Sequence, residues 1–213
     1  MKVCLLEGII GAGKSTLLQV LETELKTHFN KIIVVHEPVE VWKATGALQA
    51  FYADVHNKAY EFQTFAFCTR LQALRDAYNK DPDADLYIIE RSPYSDRYMF
   101  VKMLQEAGHF SKLQSTMYEQ WWSTWMNLWP FKPTHVIHVN PGLEVCMERV
   151  QKRARAGEGS VSHDYQTELL KKHMEYFAGE CKYPVLDLNN SGDIFDSNVK
   201  NKLVTQVANF LST

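Results

Sequence analysis

The run Gly8-Ile9-Ile10-Gly11-Ala12-Gly13-Lys14-Ser15 leaves this chain few folds to choose from. It fits the pattern G-x-x-x-x-G-K-[ST], which carries a mechanism only where it links a strand to a helix. Both neighbours are present. Lys2-Val3-Cys4-Leu5-Leu6-Glu7 reads as a short buried strand, and Leu17, Leu18, Leu21, Leu25 and Phe29 recur afterwards at helical spacing. Glycines let successive backbone N–H groups turn inward around phosphate oxygens, and the helix start adds a favourable dipole. Lys14 would then reach the β- and γ-phosphates of a nucleoside triphosphate, and the Ser15 hydroxyl would hold Mg²⁺. A glycine turn without a ligand is the bland alternative. The order strand, loop, helix argues against it.

Apolar runs at 3–6, 32–35, 86–89, 135–139 and 184–188 alternate with helical stretches, the last helix running over about 195–210. Alternation of this kind predicts an α/β fold, a five-stranded parallel sheet with helices on both faces. At 213 residues we expect a single domain over 1–213. A net charge of −2 excludes a global basic field that would recruit nucleic acid or anionic lipid. Cys4, Cys68, Cys146 and Cys181 are scattered without a C-x-x-C pair and read as reduced thiols. No apolar run has the length of a membrane span. With a strand beginning at Lys2, we expect no leader peptide and a cytoplasmic location.

In an open parallel sheet, ligands bind outside the carboxyl ends of the strands. The second strand ends at His36-Glu37-Pro38 and the third at Glu90-Arg91-Ser92. Glu37, Glu90 and Arg91 therefore fall along the same edge as the phosphate loop. One such charge would be an ordinary solvated loop residue. Three together point to a site.

The runs Glu37-Pro38-Val39-Glu40-Val41-Trp42, Phe62-Gln63-Thr64-Phe65-Ala66, Glu90-Arg91-Ser92-Pro93-Tyr94-Ser95-Asp96-Arg97-Tyr98 and Arg149-Val150-Gln151-Lys152-Arg153-Ala154-Arg155 resemble, in order and spacing, the deoxynucleoside kinase family. The likeness covers nearly the whole chain and is closest to the deoxycytidine and deoxyguanosine kinase branch. It implies the P-loop NTPase fold of nucleoside kinases. It also implies ATP as phosphoryl donor, a deoxynucleoside 5′-hydroxyl as acceptor, Mg²⁺, and a homodimer with no nucleic-acid or membrane partner.

The resemblance also assigns residues. Gly8, Ile9, Ile10, Gly11, Ala12, Gly13, Lys14, Ser15 and Thr16 would bind the donor phosphates, and Ser15 with Glu90 would hold the metal. Glu37 is the chosen base for the 5′-hydroxyl, with Glu90 as its rival, and Arg91 would pair with Glu37 and the 5′-oxygen. Gln63, Ala66 and Arg70 share one helical stripe at i, i+3, i+7, which by periodicity alone reads as core. The resemblance makes Gln63 a base reader flanked by Phe62. Trp42 and Phe100 become walls of the base pocket, and Tyr52 with Glu158 binds the sugar 3′-hydroxyl. Arg149, Arg153 and Arg155, followed by Gly157-Glu158-Gly159, correspond to a lid over about 149–160. Asp193 and Ile194 would pack on the adenine. Arg70 and Asp96, facing each other as a bidentate pair, would exclude thymine and admit cytosine or purines.

Two positions depart from the family pattern. Pro93 stiffens the start of its helix, and Gly157 stands where a lid glutamate is usual. Tyr118, Trp122, Trp125 and Trp129 form one helical face, read as core packing by default, with Trp121 a candidate for a dimer interface. Two other functions share this loop. A thymidylate-type kinase would need a basic acceptor pocket where Glu37 lies. A GTPase-like switch would need D-x-x-G and N-K-x-D, and both are absent.

Overall fold

The structure, a computed structural model, describes residues 1–128, 131–153 and 161–213. Five parallel strands form one sheet: β1 (Lys2–Glu7), β2 (Ile32–Val35), β3 (Leu86–Glu90), β4 (His135–Val139) and β5 (Val185–Leu188), in the order β2-β3-β1-β4-β5. The first strand lies at the centre, so its carboxyl end opens into the middle of the molecule. That is where the glycine loop begins.

Strand periodicity divides the core. Cys4 and Leu6 face one side, with Leu17, Leu18 and Leu21 of α1 (Lys14–Glu24) and Leu203, Val207 and Leu211 of α10 (Ser197–Ser212). Val3 and Leu5 face the other side, with Leu74 of α4 (Val55–Lys80). Helices therefore cover both faces, as the alternating pattern requires. Beside the sheet, α2 (Val39–Ala44), α3 (Ala47–Ala53), α4 and α6 (Lys102–Glu106) pack around Trp42, Phe51, Phe62 and Phe67, and Tyr118 of α7 (Lys112–Leu128) joins them. α8 (Leu143–Arg153) and α9 (His163–Glu175) flank the glycine loop.

Several local features differ from expectation. The final helix starts at Ser197 because the Asp196 carboxylate accepts from the Asn198 and Val199 N–H groups and caps it there. Pro93 begins α5 (Pro93–Ser95) in the first turn of a capping box made by Ser92 and Ser95. Asp96–Val101 then winds as a π-helical segment before α6, which no hydrophobic pattern announced. The aromatic face of α7 is only partly core. Tyr118 is buried, but Trp125 is 39% exposed. Leu113, Met117, Trp121, Trp125 and Leu128 make an exposed apolar stripe, because α7 packs on the body with its other side. Trp129, Arg155, Gly157, Glu158 and Gly159 lie outside the described residues.

Candidate active site

Gly8, Gly11 and Gly13 all take positive φ, and two of them have no room for a side chain. A Cβ on Gly8 would sit 2.5 Å from the Val139 carbonyl oxygen, and one on Gly11 would collide with that of Cys146. The loop wraps the start of α1, leaving its first turn open to an anion.

A cavity of about 370 Å³ runs from this loop into the helical layer. Its phosphate end is lined by Ile10, Gly11, Gly13, Lys14, Ser15 and Thr16. Lys14 is buried, and its Nζ donates to the carbonyls of Gly8 (2.9 Å) and Ile9 (3.0 Å). Burial, with repulsion from Arg91, lowers its pKa to about 7. Ser15 Oγ donates to Glu90 Oε1 at 2.6 Å, and Glu90 Oε2 faces His36 Nδ1 at 3.6 Å. Burial opposes the Glu90 charge, but His36, Lys14, Ser15 and Arg91 outweigh it and hold the carboxyl at about 2. An ionised carboxylate beside a hydroxyl is an oxygen donor set of the kind Mg²⁺ takes together with substrate phosphates, so the residues fit that ion.

The far end is built from buried side chains. The α4 stripe, which periodicity alone reads as core, delivers Gln63, Ala66 and Arg70 to the cavity wall. The Arg70 guanidinium donates to Asp96 Oδ1 with one nitrogen and to Glu37 Oε1 with another, and it lies 4.9 Å over the Trp42 ring. Arg91 Nε reaches the same Glu37 oxygen at 3.2 Å, and its guanidinium stacks 4.7 Å over Phe100. Both contacts use Oε1 of Glu37. Burial disfavours the Arg70 charge, but Asp96 and Glu37 overcome it and raise its pKa. Asp96 is fully buried, and burial pushes it up to about 6 against the pull of Arg70. Its Oδ2 and Arg91 Nη1 have no partner among the described residues.

Trp42, Tyr52, Phe62 and Phe100 complete the wall. Trp42 is pinned by its Nε1 donating to Thr69 Oγ1 at 2.9 Å, and it meets Phe62 edge-on at 5.4 Å. Phe62 in turn stacks on Phe51 at 4.7 Å. A flat apolar slot ending in an Arg–Asp pair suits a planar heterocycle with polar edges.

The model of the family "Deoxynucleoside kinase" matches residues 4–212. The chain belongs to the deoxynucleoside kinase family. A fowlpox virus protein (strain NVSL) named a probable deoxycytidine kinase is 35% identical over 213 residues, covering 97% of this chain and 87% of the relative. Deoxycytidine kinase 2 of Gallus gallus is 30% identical over 241 aligned positions, covering 98% and 89%. Mitochondrial deoxyguanosine kinase of Xenopus laevis is 29% identical over 223 positions, covering 90% and 82%. The chain is accordingly an enzyme, a phosphotransferase with a nucleoside triphosphate donor and a deoxynucleoside acceptor.

The kinase has another cavity beside the loop, of about 300 Å³. Arg149, Arg153, Asp193 and Ile194 line it together with Gly11, Gly13 and Thr16. Arg153 borders both cavities. Gly8, Ile9 and Ala12 line neither. The first two accept from Lys14, and the Ala12 carbonyl accepts from Asn190 Nδ2 (2.8 Å) and Arg149 Nη1 (3.3 Å).

Sequence reasoning passed over four residues of this kinase. Glu7 ends β1 beneath the loop and is fully buried. His36, next to Glu37 in sequence, faces Glu90. Gln166 binds both the N–H and the carbonyl of Ile10 through its amide, and Asn190 props the loop from beyond β5. Glu7 had a signal: a carboxylate closing an otherwise apolar central strand must find buried partners. Gln166 had a weaker one, a polar residue on the Leu169 and His173 face of α9.

Proposed function

We propose that this kinase transfers the γ-phosphoryl group of ATP to the 5′-hydroxyl of deoxycytidine or of the purine deoxynucleosides deoxyadenosine and deoxyguanosine. The observation that carries the proposal is the Arg70 guanidinium held between Asp96 and Glu37 at the end of the aromatic slot. Its bulk occupies the space a thymine 5-methyl would need. The unpartnered Asp96 Oδ2 is an acceptor for an exocyclic amine, and Gln63 supplies an amide that both donates and accepts. Relatives named deoxycytidine and deoxyguanosine kinases agree with that choice.

Chemistry follows from the same contacts. The 5′-oxygen forms its bond to the γ-phosphorus while the bond to the β,γ-bridging oxygen breaks, and a nucleoside diphosphate leaves. The hydroxyl proton passes to Glu37 Oε2. Arg91 directs Nη1, free of other described partners, at the reacting oxygens. Lys14 turns from the loop carbonyls to the donor phosphates. Such a loose transition state asks for positioning and charge stabilisation rather than covalent help. Ser15 and Glu90 would hold Mg²⁺, whose charge, when bound, offsets that of the phosphates. Glu90 is thereby the poorer base, since hydroxyl, imidazole and metal already claim its oxygens.

Arg149, Arg153 and Arg155 would bring positive charge over the triphosphate, with Asp193 and Ile194 against the adenine and Glu158 with Tyr52 at the sugar 3′-hydroxyl. The exposed α7 stripe supports a homodimer through that helix. Four free cysteines suit the reducing cytoplasm. Among the described residues no helix is long and apolar enough to cross a membrane. The test is a panel of four deoxynucleosides with labelled ATP. Deoxycytidine or a purine deoxynucleoside should be the best acceptor, and a preference for thymidine over every other would overturn the reading.

A further inference from the structure

Arg91 is the one described residue other than glycine with a positive φ, at 60°. A left-handed arginine lasts only where its surroundings hold it. Glu90, one residue earlier, is fixed by the ladder, since it pairs with Leu6 of β1. Arg91 lies past the strand end and needs other anchors. One is its own N–H, which donates to the Leu6 carbonyl at 3.0 Å. The other is the corner that follows it.

That corner closes on Glu7. Ser92 Oγ donates to Glu7 Oε1 at 2.8 Å, and Ser95 Oγ lies 2.7 and 2.6 Å from the two carboxylate oxygens. The same hydroxyls already accept from the chain: Ser95 Oγ takes the Ser92 N–H at 2.8 Å, and Ser92 Oγ takes the Ser95 N–H at 3.4 Å. Each hydroxyl accepts one N–H in the capping box and gives its proton to Glu7, whose oxygens are nearer than the other serine's Oγ at 3.4 Å. Glu7, Ser92 and Ser95 are all buried. The carboxylate touches neither cavity, so it has no substrate to serve directly. Burial raises its pKa, opposed by Ser95, Arg91, Ser92 and Lys14. A chain that buries a carboxylate there must gain something by it.

We propose that Glu7 is a positioning residue for phosphoryl transfer: by accepting both serine protons it locks the 92–95 corner and so sets the left-handed backbone that aims Arg91 at Glu37 and the acceptor oxygen. The inference rests on the part assigned to Arg91 above. Glu7→Gln keeps the shape but removes the charge and turns one acceptor oxygen into an N–H donor, which faces Ser95 Oγ at the Oε2 position and both hydroxyls at the Oε1 position. Ser92→Ala with Ser95→Ala removes the same link from the other side.

In Glu7→Gln, kcat with deoxycytidine should fall by about ten- to a hundredfold, the cost of a small misplacement of reacting groups. Donor KM and donor binding by calorimetry should stay unchanged, which also reports that the phosphate loop is folded. The double serine variant should show the same split between kcat and donor KM. In an Arg91→Ala background, Glu7→Gln should cost nothing further, because its effect passes through Arg91. Losses that multiply in that background, or a kcat loss matched by equal loss of folded, donor-binding protein, would overturn the inference. So would an unchanged kcat in both the Glu7 and the double serine variants. Arg91→Ala alone distinguishes the two failures: if it retains full turnover, the reading of Arg91 fails, and if it is inactive while Glu7→Gln is normal, only the part given to Glu7 fails.

Discussion

At the phosphate end of the cavity, eight consecutive residues, Gly8 to Ser15, supply the loop. At the nucleoside end, Glu37, Arg70, Arg91 and Asp96 come from four separate places and meet only in the folded chain. The first end offers backbone N–H groups, one lysine and one hydroxyl, which under the proposed function would read charge. The second is a desolvated chain of two guanidiniums and two carboxylates, which under the same proposal would read shape and hydrogen-bond edges. Backbone contacts survive many substitutions. A buried ion network does not, because removing one member leaves another charge uncompensated. Chemistry common to a family can therefore reside in the loop while choice of nucleoside resides in the network.

The largest expected effect lies at the first end. Lys14→Ala should abolish turnover with little loss of deoxynucleoside affinity, because Lys14 lies among the donor-loop carbonyls. Calorimetry with each substrate checks it, and equal weakening of both would erase the division between the ends. Next comes Glu37→Gln, which should lower kcat by about two to four decades, the range of general-base effects. Donor binding should hold. Turnover near normal in single-turnover assays would pass the proton to Glu90 or to solvent.

Acidification separates the ends more gently. Asp96, raised to about 6, takes up its proton as pH falls through that value, while Glu90, held at about 2, stays ionised throughout. Lys14, at about 7, gains its proton over the same interval and favours the donor. From pH 8 to 5, deoxycytidine affinity should drop by up to about tenfold, one decade for each unit below the Asp96 value. Donor affinity should not weaken. Titrations in which the two move in parallel would contradict the comparison.

The same contrast decides what could be read in advance. The glycine loop is contiguous, so its residues and its place between strand and helix were legible, and β1 and α1 follow. Glu37 and Arg91 were reachable because parallel strands bring their carboxyl ends to one edge. Gln63, Ala66 and Arg70 shared a stripe by periodicity, but only the family resemblance turned that stripe toward a base. Nothing local indicated that Arg70 would grip Glu37 as well as Asp96, since those partners lie 33 and 26 positions away. Glu7 and Gln166 each carried a local polar signal, but their partners Ser92, Ser95 and Ile10 lie 85, 88 and 156 positions away. On α7, periodicity put Trp125 on an aromatic face read as core packing, and the structure leaves that residue exposed because spacing along one helix does not say which side meets the body.

The most direct test of the nucleoside end is kcat/KM for thymidine against deoxycytidine in wild-type, Arg70→Met, Asp96→Ala and the combined Arg70→Met/Asp96→Ala enzymes. Wild type should favour deoxycytidine. The combined variant should admit thymidine, and each single variant should do worse: Arg70→Met leaves the buried Asp96 carboxylate without its cation, and Asp96→Ala leaves the Arg70 guanidinium in the slot, held by Glu37. If either single change admits thymidine as well as the pair does, or wild type already prefers it, the Arg70–Asp96 network does not set the choice of base.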